Sequence, residues 1–363
     1  MQTLIWIRRL ALAGVLLCLI VVVLGAYVRL TAAGLGCPDW PGCYGHLTPI
    51  GAAENPAAQA AFPNVPLDIG KAWREMIHRY AASTLGLIIV VITALTIAAR
   101  NARPVRVPFV LVLLGTVVFQ GILGMLTVTW QLKPLIVTLH LLFGLTTLGL
   151  LWWLWLSVRP SRLATVRTAV RERSAPLHET RRIGTARRMA LVAFVALGLQ
   201  IALGGWTSSN YAAVACPDFP KCQNAWWPDT DYEDAFVLWR GLGINYEGGV
   251  LDHPARVAIH FTHRLGAIVA TLAIVLAVWS VWRTQALSRA RPAAIALAAA
   301  LVLQLAIAIA MVLRAFPLWL ATAHNAGAAL LVLAMIALYR SLSESAAVPA
   351  MDTVSAVPGR LAP

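Results

Sequence analysis

The sequence predicts an all-α polytopic membrane protein, with eight transmembrane helices forming two pseudo-symmetric four-helix bundles related as a parallel repeat. Three observations carry that prediction. The chain is 60% hydrophobic and only 12% charged, with a mean hydropathy of +0.75, whereas a soluble globular domain is about a quarter charged. Eight apolar stretches reach the ~20 residues that a helix needs to cross a bilayer. The second half of the chain then repeats the polar landmarks of the first, in the same order.

The first span, about 10–30, follows Arg8 and Arg9. Its apolar run is too long for the core of a signal peptide, so it reads as a retained span. Three more cover about 76–99, 107–128 and 135–156, and the last four about 189–208, 257–281, 292–313 and 318–339. Arginines crowd the links after the second, fourth and sixth spans: Arg100, Arg103 and Arg106, then nine from Arg159 to Arg188, then Arg283, Arg289 and Arg291. Acids collect on the other side, from Asp39 and Glu54 to Asp229, Asp231, Glu233, Asp234, Glu247 and Asp252. Positive loops stay inside, so both termini are expected in the cytoplasm and the loops 31–74 and 209–256 outside. Trp152, Trp153, Trp155, Trp279 and Trp282 close spans at the cytoplasmic face, as interfacial aromatics do. The net charge of +14 lies in these short links. No separate basic domain offers a nucleic-acid footprint.

The expected organisation is a first bundle over 1–156, an arginine-rich cytoplasmic linker over 157–188, a second bundle over 189–340 and a tail over 341–363. The tail, rich in alanine, proline and serine, has the composition of a disordered segment. The repeat supports the division. Cys37-Pro38-Asp39-Trp40-Pro41-Gly42-Cys43 lines up with Cys216-Pro217-Asp218-Phe219-Pro220-Lys221-Cys222, and His78-Arg79 with His263-Arg264. Gln120 and His140 line up with Gln304 and His324 at one offset of 184 residues. Four spans per half is an even number, so both halves enter the membrane in the same orientation.

Four histidines draw attention because ionisable residues inside a membrane are costly and by default functional. His78 and His263 stand near the outer start of even-numbered spans, and His140 and His324 lie six and seven residues beyond Pro134 and Pro317. At ~1.5 Å per residue, each is expected within roughly 10 Å of its span's outer end. A lone buried histidine is commonly just a hydrogen-bonded core residue. Four at repeat-matched places on alternate helices weaken that explanation. Zinc or copper would call for three or more converging ligands. A facing pair instead suits a flat macrocycle such as haem, held by axial histidine on both faces. Gly86, Gly144, Gly266 and Gly327, a few residues past each histidine, would leave room for the ring, or would serve ordinary helix packing.

The neighbours of these histidines are ambiguous on spacing alone. Arg79 and Arg264 are candidate contacts for haem propionates, or they snorkel to the interface. Glu75 lies three residues before His78, on the same helix face, and the matching place before His263 is His260. A carboxylate in one half only suggests proton handling there; the plain alternative is an exposed interfacial glutamate. His260 either reaches the same site or faces the loop. Cys18 is alone in an apolar run and reads as a small core residue. The pairs Cys37–Cys43 and Cys216–Cys222, each in an outer loop with two prolines between them, read as structural disulfides. A redox role remains the sharper alternative.

Taken together, Arg29-Leu30-Thr31 with Gly34-Leu35, Asp39-Trp40-Pro41, Glu75-x-x-His78-Arg79, His260-x-x-His263-Arg264 and Ala323-His324-Asn325 resemble the haem A synthase family, and Leu238 to Glu247 is similar to the long outer loop of its proteobacterial members. The resemblance runs from the first span to the eighth. It implies an oxidoreductase of the bacterial cytoplasmic (inner) membrane that oxidises the C8 methyl group of haem O to a formyl group, making haem A for terminal oxidases. It implies His263 and His324 as axial ligands of a haem b cofactor in the second half. His78 and His140 would lie at the substrate haem in the first half, with Glu75 as the catalytic residue beside it. The haem sites would face the periplasmic side. Expected partners are the lipid bilayer, haem O synthase (protohaem farnesyltransferase) and an electron donor of unnamed kind, with a homo-oligomer left open. The second half departs from the pattern by having Ser208 where the first has Arg29. A di-haem cytochrome b electron-transfer subunit and a haem carrier or assembly protein are the rival classes, and neither needs Glu75.

Overall fold

The structure is a computed structural model that describes residues 2–99, 105–158 and 177–346. Arg100, Arg103, the linker arginines from Arg159 to Arg173 and the tail beyond residue 346 lie outside these described residues. Among them, eight helices are long and apolar enough to cross a membrane. They are α1 (Gln2–Leu30), α2 (Ile69–Ala98), α3 (Val107–Thr129), α4 (Pro134–Ser157), α5 (Leu177–Ser209), α6 (His253–Trp282), α7 (Arg291–Leu313) and α8 (Leu318–Ala346). The remaining elements are short helices and turns in the loops.

The expected spans are found, but several helices begin or end well outside the apolar windows. The expected start at about 76 is corrected to Ile69, because Asp68 caps the helix by accepting the amides of Gly70 (2.9 Å) and Lys71 (3.0 Å). α6 likewise starts at His253, with Pro254 in the first turn. Proline suits that place, since its missing N–H would be unpaired anyway. These added turns stand above the apolar zone. By ~1.5 Å per residue, His78 and His263 therefore lie about 14–15 Å from the start of their helices, deeper along the helix than the apolar windows alone indicate.

Contacts between helices follow one cyclic order in each half. α1 packs on α2 and α4, and α3 closes the ring between them; α5 packs on α6 and α8, and α7 closes that ring. The halves meet through α1 with α8, α4 with α5 and α4 with α8. Towards the N-terminal ends of α1 and α5 both rings are filled by aliphatic side chains: Ile7, Ala11, Ile89, Leu113, Leu148 and Leu151 in one, Ala190, Ile274, Leu297, Met335 and Leu338 in the other. Trp152 Nε1 donates to the Leu333 carbonyl (3.0 Å) across the seam. The outward faces stay apolar and exposed, as with Leu87, Val192 and Val302, a pattern that fits lipid and not water.

At the opposite end each half is capped by a loop with a disulfide. Cys37, Cys43, Tyr44 and Ala52 pack on Ala72 and Met76 at the head of α2, and Cys216 and Cys222 pack on Val257 and Phe261 of α6. With aliphatic packing at one end and these caps at the other, the histidines lie between.

Candidate functional site

The His-Arg pairs on α2 and α6 divide their labour. In each, the arginine reaches up to the loop above. Arg79 Nη1 donates to the carbonyls of Asp39 (2.9 Å), Pro41 (3.2 Å) and Gly42. Arg264 donates to those of Lys221 (2.8 Å) and Cys216 (2.9 Å). Both therefore hold down a disulfide loop, Cys37–Cys43 or Cys216–Cys222. Within the loops Asp39 accepts the amides of Tyr44 and Gly45, and Asp218 those of Gln223 and Asn224. Guanidinium carries five N–H donors in a planar fork, so this anchoring leaves donors over on each arginine.

Inside the first half, His78 and His140 face each other with ring centres 6.5 Å apart and planes crossed at 73°. Two in-line metal–imidazole bonds of ~2 Å each, plus the reach of each ring from centre to nitrogen, span about 6 Å. The spacing thus leaves room for one metal centre between the two rings. In the second half, His263 on α6 and His324 on α8 lie within electrostatic reach of each other. Among the described residues, no three His, Cys, Asp or Glu side chains converge as a bare metal ion would need. The arrangement is one imidazole from each of two helices, twice.

Glycines that sequence reasoning passed over make room for the rings. A methyl group at Gly25 would stand 3.0 Å from His78 Cε1, at Gly124 3.3 Å from His140 Cε1, and at Gly204 3.1 Å from His263 Cε1. The available signal was positional, because Gly25 and Gly204 are related by the same offset of 179 residues as Cys37 and Cys216. Of the four glycines singled out as room for a macrocycle, Gly86 faces open space. The other three seat glutamines: Gly144 faces Gln120, Gly266 faces Gln200 and Gly327 faces Gln304, the last two too closely for any Cβ.

Glu75 is buried, only 4% exposed. Its Oε1 accepts from Arg79 one turn on, and its Oε2 accepts the Cys37 amide at 3.0 Å. It is therefore not an exposed interfacial acid. Its counterpart His260 is also buried and does not simply face the loop: its Nε2 accepts from Arg264 Nε (3.2 Å) and its ring packs on Phe316. Arg29 crosses between the halves. It donates to the carbonyl of Ser208 (2.6 Å), the residue aligned with it, and lies 4.0 Å over the ring of Tyr211.

The chain matches the COX15-CtaA family, described as cytochrome oxidase assembly protein, over residues 8–336. The chain belongs to this family. Relatives bear out the resemblance carried by the motifs. A haem A synthase from Shewanella oneidensis is 42% identical over 333 residues, covering 91% of this chain and 94% of its own. One from Paracoccus denitrificans is 27% identical over 333 residues, covering 85% and 80%, and one from Shouchella clausii 26% over 277 residues, covering 76% of each. The COX15-CtaA match spans all eight helices and so includes both histidine pairs, Glu75 and both disulfide loops.

Proposed function

We propose that this chain is a haem A synthase, an oxidoreductase that converts the C8 methyl group of haem O to the formyl group of haem A. The observation that carries the reading is a buried glutamate one turn from a facing histidine pair, in one half only, in a chain of the COX15-CtaA family. Residues 1–156 form the half that takes the substrate haem between His78 and His140, and residues 189–340 the half that holds haem b between His263 and His324. The fit is supported by the 6.5 Å spacing of the first pair and by Nδ1 atoms of His78 and His140 that are buried without a hydrogen-bond partner among the described residues. When bound, haem b supplies one-electron transfer.

The methyl carbon undergoes two successive two-electron oxidations, with dioxygen or water as the source of oxygen and an external acceptor taking the electrons, giving a geminal diol that loses water to the aldehyde. The protein's own part is to orient the substrate and to handle protons. Glu75 holds the proton that moves, and Arg79 and the Cys37 amide fix where its two oxygens sit. The spare donors of Arg79 and Arg264 would bind the haem propionates. A farnesylated substrate enters from the bilayer, and the protein works beside haem O synthase in a bacterial inner membrane. Both termini are cytoplasmic and the histidines lie towards the periplasm.

Membranes containing the protein and supplied with haem O should yield haem A, read by pigment extraction. Glu75→Ala should stop turnover while the haem of the second half is kept. Normal turnover in that variant removes the proton role. Purified protein with a bis-histidine spectrum but no conversion of haem O would make it an electron-transfer subunit instead.

A further inference from the structure

A groove of about 570 Å³ runs along the seam where α4 of the first half meets α5 and α8 of the second. Its lining on α4 extends from Leu142 to Trp153, which is ~16 Å along the helix axis. One leaflet is about as deep, being half of a ~30 Å hydrocarbon core. Two glycines build the groove. A Cβ at Gly198, on the α5 wall, would meet nothing within 4 Å, so that wall stands open. At Gly149 a Cβ would stand 2.8 Å from Ile336 Cδ1, so α4 and α8 close the floor only because this residue has none. The Thr146 hydroxyl on the wall is spent on the Leu142 carbonyl (2.8 Å). Leu191 and Phe194 are exposed along one edge, where the groove opens sideways. At the other seam, where α8 meets α1, the offsets of 179 and 184 residues put Leu19 and Leu333 in place of Gly198 and Gly149. Both leucines pack on the core of the first half.

The end of the groove away from the disulfide loops carries positive charge. Trp153 and Tyr339 line it there, and an arginine lies over each ring: Arg340 Cζ is 5.1 Å from the centre of Trp153, and Arg187 Cζ 5.5 Å from that of Tyr339. Arg340 donates to Ser157 Oγ (2.6 Å), and the exposed Arg187 donates through Nε to Tyr339 Oη (3.3 Å). A guanidinium has five N–H donors, so the Tyr339 bond takes one of those on Arg187. We propose that this groove binds one anionic phospholipid, its acyl chains along α4 and its phosphate against Arg187 and Arg340. Basic side chains between membrane helices attract anionic headgroups, and an apolar trough one leaflet deep suits the chains below. The occupant bridges the two halves of the molecule. The groove is separate from the histidine pair: Gly149 lies nine residues past His140, about 180° round the helix. A quinone ring would need polar partners for its oxygens, and the Thr146 hydroxyl is already committed.

The test uses the full-length protein purified in detergent with excess lipid washed away. Added phosphatidylglycerol should raise its melting temperature by several degrees, as a ligand of the folded state does, and phosphatidylcholine should raise it far less. Arg187→Gln should need about five-fold more phosphatidylglycerol for the same rise, with its response to phosphatidylcholine unchanged. Gly198→Phe, which fills the groove, should respond to the two lipids alike. Native mass spectrometry should find an anionic phospholipid retained on the parent and missing from that variant. Equal responses of the parent to both lipids overturn the proposal, however the variants fold. It is overturned as well if Gly198→Phe keeps the phospholipid, or if the molecule retained by the parent is an uncharged isoprenoid.

Discussion

At the scale of single residues, the chemistry near the site is set by pairs one helical turn apart. Glu75 with Arg79 and His260 with Arg264 occupy matching places, yet only the first pair buries a carboxylate against a cation. Removing one member of a buried ion pair leaves an uncompensated charge and costs about 3–5 kcal/mol, whereas a neutral imidazole left alone costs much less. Arg79→Leu should therefore lower the melting temperature of the detergent-solubilised protein well beyond Arg264→Leu. Equal losses would mean that the loop carbonyls, held by both arginines, dominate. Spacing alone put Glu75 near His78. It could not reveal that the acid is buried, since that depends on the loop carrying Cys37 folding back over α2.

At the scale of elements, the two disulfide loops look alike in sequence and meet their helices differently. At Gly36 a Cβ would stand 2.7–2.9 Å from main-chain atoms of Lys71 and Ala72, which cannot yield as a side chain would. The aligned residue in the second loop is Ala215, which already carries a Cβ. Gly36→Ala should lift the first loop from α2, cost about 1–3 kcal/mol as overpacking does, and weaken the Cys37–Glu75 bond. Ala215→Gly should change the melting temperature little, which thermal denaturation of both variants side by side would show. The eight helices themselves were legible from apolar length. Their true starts were not, because the Asp68 cap of α2 and the first-turn Pro254 of α6 are features that hydropathy does not register.

At the scale of the whole molecule, contacts between the halves do more than bury apolar faces. Lys133, at the turn between α3 and α4, is 1% exposed, donates to the Gly241 carbonyl and sits 3.2 Å over the ring of Trp239. The Tyr246 amide donates to the Gln131 carbonyl beside it (3.0 Å). The long loop between α5 and α6 is thereby strapped over the turn between α3 and α4. A desolvated cation–π contact is worth about 2 kcal/mol or more, so Lys133→Met should free this loop. Limited proteolysis between residues 236 and 250 should then run faster than in the parent; an unchanged rate would show that the main-chain bond at Tyr246 suffices.

The sequence by itself determined the membrane class, the eight spans, the repeat and the four histidines, because apolar length, charge bias and residue spacing are local properties. Family motifs could be read the same way. The tertiary structure alone decided that His78 turns to His140, that Arg79 and Arg264 reach up to loop carbonyls, and that Gly266 and Gly327 seat glutamines. These depend on the rotation of each helix against its neighbours and on loops returning from dozens of residues away. No window along the chain contains both partners of such a contact.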